Sequence, residues 1–164
     1  EPTLNGTANV EAFHPGVAAG TNYLDRQPGT PVLLSAPGTG RYPAKGGFRN
    51  PPGMYGWGSN PASSLTGVPT VAGWGHEIGY RGLETYVARV RTVDAAYTNR
   101  TAAVSVMREY DVQYVWVGTA ERNRYGSALV DFDSLSGVRA VTRERGVVLY
   151  EVDQSALSTN QTSE

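Results

Sequence analysis

The chain has 164 residues, 40% of them apolar, 10% aromatic and 18% charged; this is enough to bury one substantial core, so a single globular domain is expected and a disordered tail is excluded. Its 14 basic and 15 acidic side chains leave a formal net charge of -1, without the electrostatic footprint of a protein that tracks nucleic-acid phosphates. There is no cysteine, so neither disulfides nor thiolate metal sites hold the fold, and no apolar run reaches the ~18 to 20 residues that cross a bilayer.

Val10, Phe13, Val17, Ala18, Tyr23 and Leu24 precede Pro28-Gly29. Pro15 suits a first helical turn, and the spacing predicts a short helix from about Pro15 to Asp25. Pro31-Val-Leu-Leu-Ser-Ala36 is a short apolar run bounded by Pro and Gly, the pattern of a strand covered on both faces. From Pro37 to Ala62, 12 of 26 residues are Gly or Pro, which forbids a regular helix or central strand. This stretch reads as a long loop carrying Tyr42, Phe48, Tyr55 and Trp57, rings that a solvated linker does not need.

Val68-Pro-Thr-Val-Ala72 predicts a short strand that Pro69 confines to an edge. From Leu83 the apolar positions Leu83, Tyr86, Val87, Val90, Val93 and Tyr97 step by three and four, one stripe of an amphipathic helix of about 15 residues that should face the sheet through Leu83, Val87 and Val90. Thr98 or Asn99 can cap a second helix, with Ala102, Ala103, Val106, Met107 and Tyr110 on one face. Val112-Gln-Tyr-Val-Trp-Val117, ended by Gly118, predicts a central strand. Ser127 to Leu135 reads as a short helix, and Val138 to Thr142 with Val147 to Val152 as a hairpin around Arg143 to Gly146. The tail from Ser155 is polar.

The chemistry-bearing motifs are few. His14 and His76 are the two histidines, with no HxxxH or HExxH spacing, so no metal is expected. Gly38 to Gly47 superficially resembles a phosphate loop, but Ala44 and Gly46 flank Lys45 where Gly and a hydroxyl are needed, and Pro43 removes an amide. No Gly-x-Ser-x-Gly elbow is present. No catalytic residue and no cofactor are therefore assigned. The densest reactive cluster is Trp74-Gly-His76-Glu77, an imidazole beside a carboxylate suited to proton transfer or to a polar ligand; the bland alternative is a turn leading into a helix. Arg122 and Arg124 follow the predicted central strand, where open α/β sheets place ligands, or they are solvated or paired with Glu121. Sequons stand at Asn5, Asn99 and Asn160, a weak push toward an extracytoplasmic surface.

The order of segments carries a resemblance. Thr3-Leu-Asn-Gly6, a helix ending near Tyr23-Leu24, Pro31-Val-Leu-Leu34, Thr66-Gly-Val-Pro-Thr-Val-Ala-Gly-Trp-Gly-His-Glu77 and Tyr110-Asp-Val-Gln-Tyr-Val-Trp-Val-Gly-Thr-Ala-Glu-Arg-Asn-Arg-Tyr-Gly126 together resemble the C-terminal soluble region of the YYY-type polytopic membrane proteins of archaea and Chloroflexi, over nearly the whole chain. Such proteins look like lipid-phosphosugar-dependent glycosyltransferases, with many transmembrane helices before an extracytoplasmic α/β domain. Their catalytic carboxylates lie on membrane-side loops near the N-terminus. The resemblance thus implies a non-catalytic domain, extracytoplasmic and tethered through its own transmembrane region, with a glycan or lipid-linked sugar as the implied ligand and no nucleic acid. The runner-up is a free-standing carbohydrate or surface-binding module.

The expectation is one α/β domain over 1–154, with a long loop at 37–62 and a polar tail at 155–164. Its core is a central, mostly parallel sheet of about four or five strands with flanking helices and a C-terminal hairpin. Trp74, His76, Glu77, Arg122, Tyr55 and Trp57 are the candidate ligand-binding residues, brought together at the carboxyl ends of parallel strands.

Overall fold

A computed structural model describes residues 6–38, 60–73 and 75–158, with only the backbone of His76 and Ile78. Helix α1 (Gly6–Phe13) and helix α2 (Pro15–Leu24) open the chain, Pro15 taking the first turn of α2 as its missing N–H allows. Strand β1 (Val32–Leu34) is shorter than the apolar run around it. Helix α3 (Pro61–Thr66) follows, so the Gly- and Pro-rich stretch read as loop to Ala62 already turns helical at its last two residues; positions 39–59 lie outside the described residues. A 3-10 turn (Gly75–Glu77) leads into α4 (Ile78–Arg81) and the long helix α5 (Leu83–Thr98). Asn99 caps α6 (Arg100–Glu109), its Oδ1 accepting the Ala102 N–H at 2.9 Å.

Strand β2 (Val112–Val117) is followed by helix α7 (Thr119–Tyr125), and β3 (Val138–Glu144) and β4 (Val147–Val152) form the expected hairpin. Arg145 and Gly146, at φ 46° and 80°, form its two-residue turn; positive φ at both central positions matches the right-handed twist of the strands. Ser127 to Leu135 is not one helix but two separate 3-10 turns, Gly126–Ala128 and Phe132–Ser134.

The sheet order is β1-β2-β4-β3. Only β1 and β2 pair in parallel, while β4 runs antiparallel to both β2 and β3. The sheet is therefore mixed, which corrects the expectation of a mostly parallel one. The physical reason lies in the hairpin. Val147-Val-Leu-Tyr150 is buried throughout, whereas β3 carries Arg139, Arg143 and Glu144 on exposed positions. A two-residue turn holds the two strands adjacent, so the apolar one takes the interior place beside β2 and the charged one takes the edge. The segment around Thr70 is not a full strand either: it meets β1 at a single parallel bridge, flanked by Leu33 N–H to Pro69 O and Val71 N–H to Leu33 O.

Both faces of the sheet are covered. Tyr114 and Trp116 project with Leu33, Val147 and Leu149 toward Leu24 and Ala62 of α2 and α3. Val115 and Val117 project the other way, with Val148 and Tyr150, onto the cluster built by α5 and α6. Val115 and Trp116 are buried in the inner strand as expected. Helix α5 buries Tyr86, Val90, Val93, Ala96 and Tyr97, but Leu83 stands 48% exposed and Val87 is half-buried. Leu83 begins the helix at its solvent end, beyond the reach of the sheet. Past β4 the chain continues to pack, with Leu157 buried and its carbonyl accepting from Arg108 Nη2.

Four tyrosines are woven into this packing. The Tyr97 hydroxyl donates to the Trp116 carbonyl at 2.6 Å and reaches the Leu34 carbonyl at 3.0 Å, tying α5 to β1 and β2. Burial pushes Tyr97 well above its ordinary value, with Glu121 and Tyr125 adding to it. Burial, then Tyr23 and Glu151, lifts Tyr114 to about 12; burial and then an acidic neighbour, Asp94 or Asp133, raises Tyr125 and Tyr150. A phenol whose folded value is raised contributes stability below its unfolded value of about 10 and loses it as pH rises through the folded value. Stability is therefore expected to fall between about pH 10 and 12, and tyrosinate absorbance should show these four of the ten tyrosines ionising only as the protein unfolds. Ten phenols titrating together near pH 10 in a folded chain would contradict the packing.

Candidate functional site

The carboxyl ends of β1 and β2 lie side by side, and one carboxylate fastens them. Glu121 sits at the third position of α7, only 2% exposed. Its Oε1 accepts the Ala36 N–H at 2.8 Å and its Oε2 accepts the Gly118 N–H at 2.8 Å, the second being the reach-back bond of a helix N-terminal capping box. Burial pushes this carboxyl above its ordinary value, opposed by the amides of Ala36, Gly118 and Glu121 and by Arg122. Both oxygens are engaged by backbone, so the group is a fastener rather than a free acid or base.

The segment before the 3-10 turn joins the same edge. Gly38 N–H donates to Gly73 O at 3.1 Å. Gly73 N–H donates to Glu77 Oε1 at 2.9 Å, and the other oxygen of Glu77 pairs with Arg81 Nε at 3.0 Å. Beneath them lies a buried polar knot. Ser35 Oγ donates to Asn60 Oδ1 and lies 3.2 Å from Thr70 Oγ1, while Asn60 Nδ2 donates to Ala72 O at 3.2 Å. Residues 35–38 are thus stitched to 70–73 on one side and to 118–121 on the other.

Of the candidate ligand-binding residues, Glu77 and Arg122 are placed at this edge. Glu77 is anchored through Gly73; Arg122 follows Glu121 on α7 and is exposed. Tyr55, Trp57 and Trp74, and the side chain of His76, lie outside the described residues. Arg124 does not join Arg122: its Nε and Nη2 clasp Asp94 at 2.8 and 3.0 Å, with the Tyr125 hydroxyl donating to the same carboxylate at 2.9 Å. Among the sequons, Asn99 is exposed and serves as the α6 cap, while Asn5 and Asn160 fall outside the described residues.

A cavity of about 380 Å³ opens beside Glu121, between α2 and the turn from β2 into α7. Its lining combines Val17, Pro61, Val147 and Trp116 with Thr119, Asn123 and His14. Sequence reasoning flagged none of these as a site. They come from four distant segments, and only the Glu three residues after a strand-ending Gly could have marked the place. A wider depression of about 550 Å³ lies by Gln113 and Val152, where Arg139 and Glu151 pair with each other.

Family models, curated proteins and solved structures provide no match to this chain.

Proposed function

We propose that this chain is a non-catalytic, extracytoplasmic domain of a glycosyltransferase-like membrane protein, where it handles the acceptor or the lipid-linked sugar. One observation carries the reading. The two segments in which the likeness to YYY-type proteins is sharpest, Thr66–Glu77 and Tyr110–Gly126, are both hydrogen-bonded to Ala36–Gly38 at the carboxyl edge of the sheet. Open α/β sheets place their ligands at that edge. The carboxylates there, Glu77 and Glu121, hold loops in place through backbone amides, which supports a binding platform and counts against a hydrolase built on His76 and Glu77.

Two measurements test the proposal. An antibody against the chain should find it in the membrane fraction of its host, in a polypeptide much larger than 17.5 kDa; recovery of a 17.5 kDa species from the medium would overturn the membrane assignment and favour the free-standing module. Titration of the chain with glycans should give a saturable change in tryptophan fluorescence that Trp74→Ala removes, with no turnover. Turnover abolished by His76→Ala would overturn the non-catalytic reading.

A further inference from the structure

We infer that the cavity between α2 and the β2–α7 turn binds a single neutral, hydroxylated ring of the pyranose kind, with the Trp116 indole N–H as one of its donors. The ring of Trp116 is fixed by two close approaches on opposite sides. A Cβ at Gly20 of α2 would stand 2.4 Å from Cζ3, and a Cβ at Gly118 would stand 2.8 Å from Nε1. The benzo edge is therefore wedged against α2, and the N–H edge faces the turn at 118–121 that lines the cavity. Gly118, which has no side chain to cover it, leaves that N–H open toward the cavity that both residues line.

The remaining walls select the ligand. Val17, Pro61 and Val147 give apolar lining, and Thr119 and Asn123 add neutral polar side chains to it. That pairing suits a ring with one apolar face and hydroxyls at its rim. No Arg or Lys lines the cavity among the described residues, and the charged group that does, Glu121, is an acid with both oxygens engaged. A phosphate or carboxylate placed there would meet the Glu121 carboxylate with only the His14 imidazole to offset it. At about 380 Å³ the space lies near the small end of ligand sites, ~300 to 1,000 Å³, so it takes one or two rings rather than a long glycan.

This deepens the sugar-handling reading above but needs no membrane. In ¹⁵N-labelled Trp57→Phe/Trp74→Phe protein the single indole signal belongs to Trp116. Titration with the methyl glycosides of glucose, mannose, galactose and N-acetylglucosamine should move it saturably for at least one of them. The 6-phosphate of that sugar should bind about tenfold more weakly or worse, as a negative charge set beside Glu121 demands. Ala120→Phe, which fills the cavity from α7 without adding an indole, should abolish the shift while leaving the melting temperature nearly unchanged; Asn123→Ala should weaken it. An unmoved signal with all four glycosides, a shift that survives Ala120→Phe, or tighter binding of the phosphate would each overturn the inference. An unmoved Trp116 signal beside a Trp74-dependent fluorescence change would overturn this pocket alone, whereas release of the chain into the medium would overturn only the membrane assignment.

Discussion

Glu121→Ala is expected to destabilise the protein by about 2 to 6 kcal/mol, because it strips the acceptor from two buried backbone amides, each of which costs roughly 1 to 3 kcal/mol when left unmade. Ala36 N–H and Gly118 N–H both point at this one side chain, which is 2% exposed. Glu121→Gln keeps one acceptor and turns an NH2 toward the other donor, so it should lose about half as much. The pH dependence has a definite sign. Burial raises the folded value of Glu121 above its ordinary 4.5, so its titration favours the fold below that value and the advantage is lost as pH rises through the folded value. In urea denaturation the stability of wild type relative to Glu121→Gln should fall as pH rises through that folded value. A loss under about 1 kcal/mol for Glu121→Ala would mean that the two amides have other partners.

Trp116→Ala should cost about 3 to 5 kcal/mol, the range for emptying the space of a fully buried aromatic ring. The residue is 1% exposed, at the centre of the smaller of two core clusters, with its carbonyl held by Tyr97. Its fit against α2 gives a second, independent handle. Gly20→Ala drives a methyl into Cζ3 and should itself cost roughly 1 to 3 kcal/mol by overpacking. Where Trp116 is already Ala, the same methyl meets the vacated space, so the two losses should add to clearly less than their sum. Strict additivity in that double-mutant cycle would show that the ring does not lie against Gly20.

Periodicity was informative wherever one face had to be buried. The three-four spacing in α5 and the both-faces-apolar run of β2 located those elements because burial on the two sides of a sheet leaves a pattern in a single segment. Leu83 fits the same stripe yet stands in solvent, since spacing assigns a face of the helix and not how far along it the core extends. The mixed sheet was illegible for a related reason. Val147–Val152 declares a hairpin through its turn and its apolar run, but nothing within it says beside which other strand it will lie. Local sequence offers Glu121 only as a partner for Arg122 or Arg124. Its role depends on Ala36, 85 positions away, and long-range backbone partners leave no mark on local sequence. The cavity shares that property, since Val17, Pro61, Trp116 and Asn123 become neighbours only once α2, α3 and β2 have packed.

The knot of Ser35, Asn60 and Thr70 has an evolutionary corollary. Ser35 bonds directly to Asn60, and Gly38 bonds to Gly73, so the described residues on either side of positions 39–59 are held to the same edge of the sheet. Doubling the length of chain between such tethered points adds only about 0.6 kcal/mol of closure entropy. Insertions and deletions between Gly38 and Asn60 are therefore thermodynamically cheap, provided that the two tethers keep their hydrogen bonds. Relatives of this protein are free to diverge there in length and composition without retuning the core, while substitutions at Ser35, Asn60 or Gly73 are constrained by the scaffold itself.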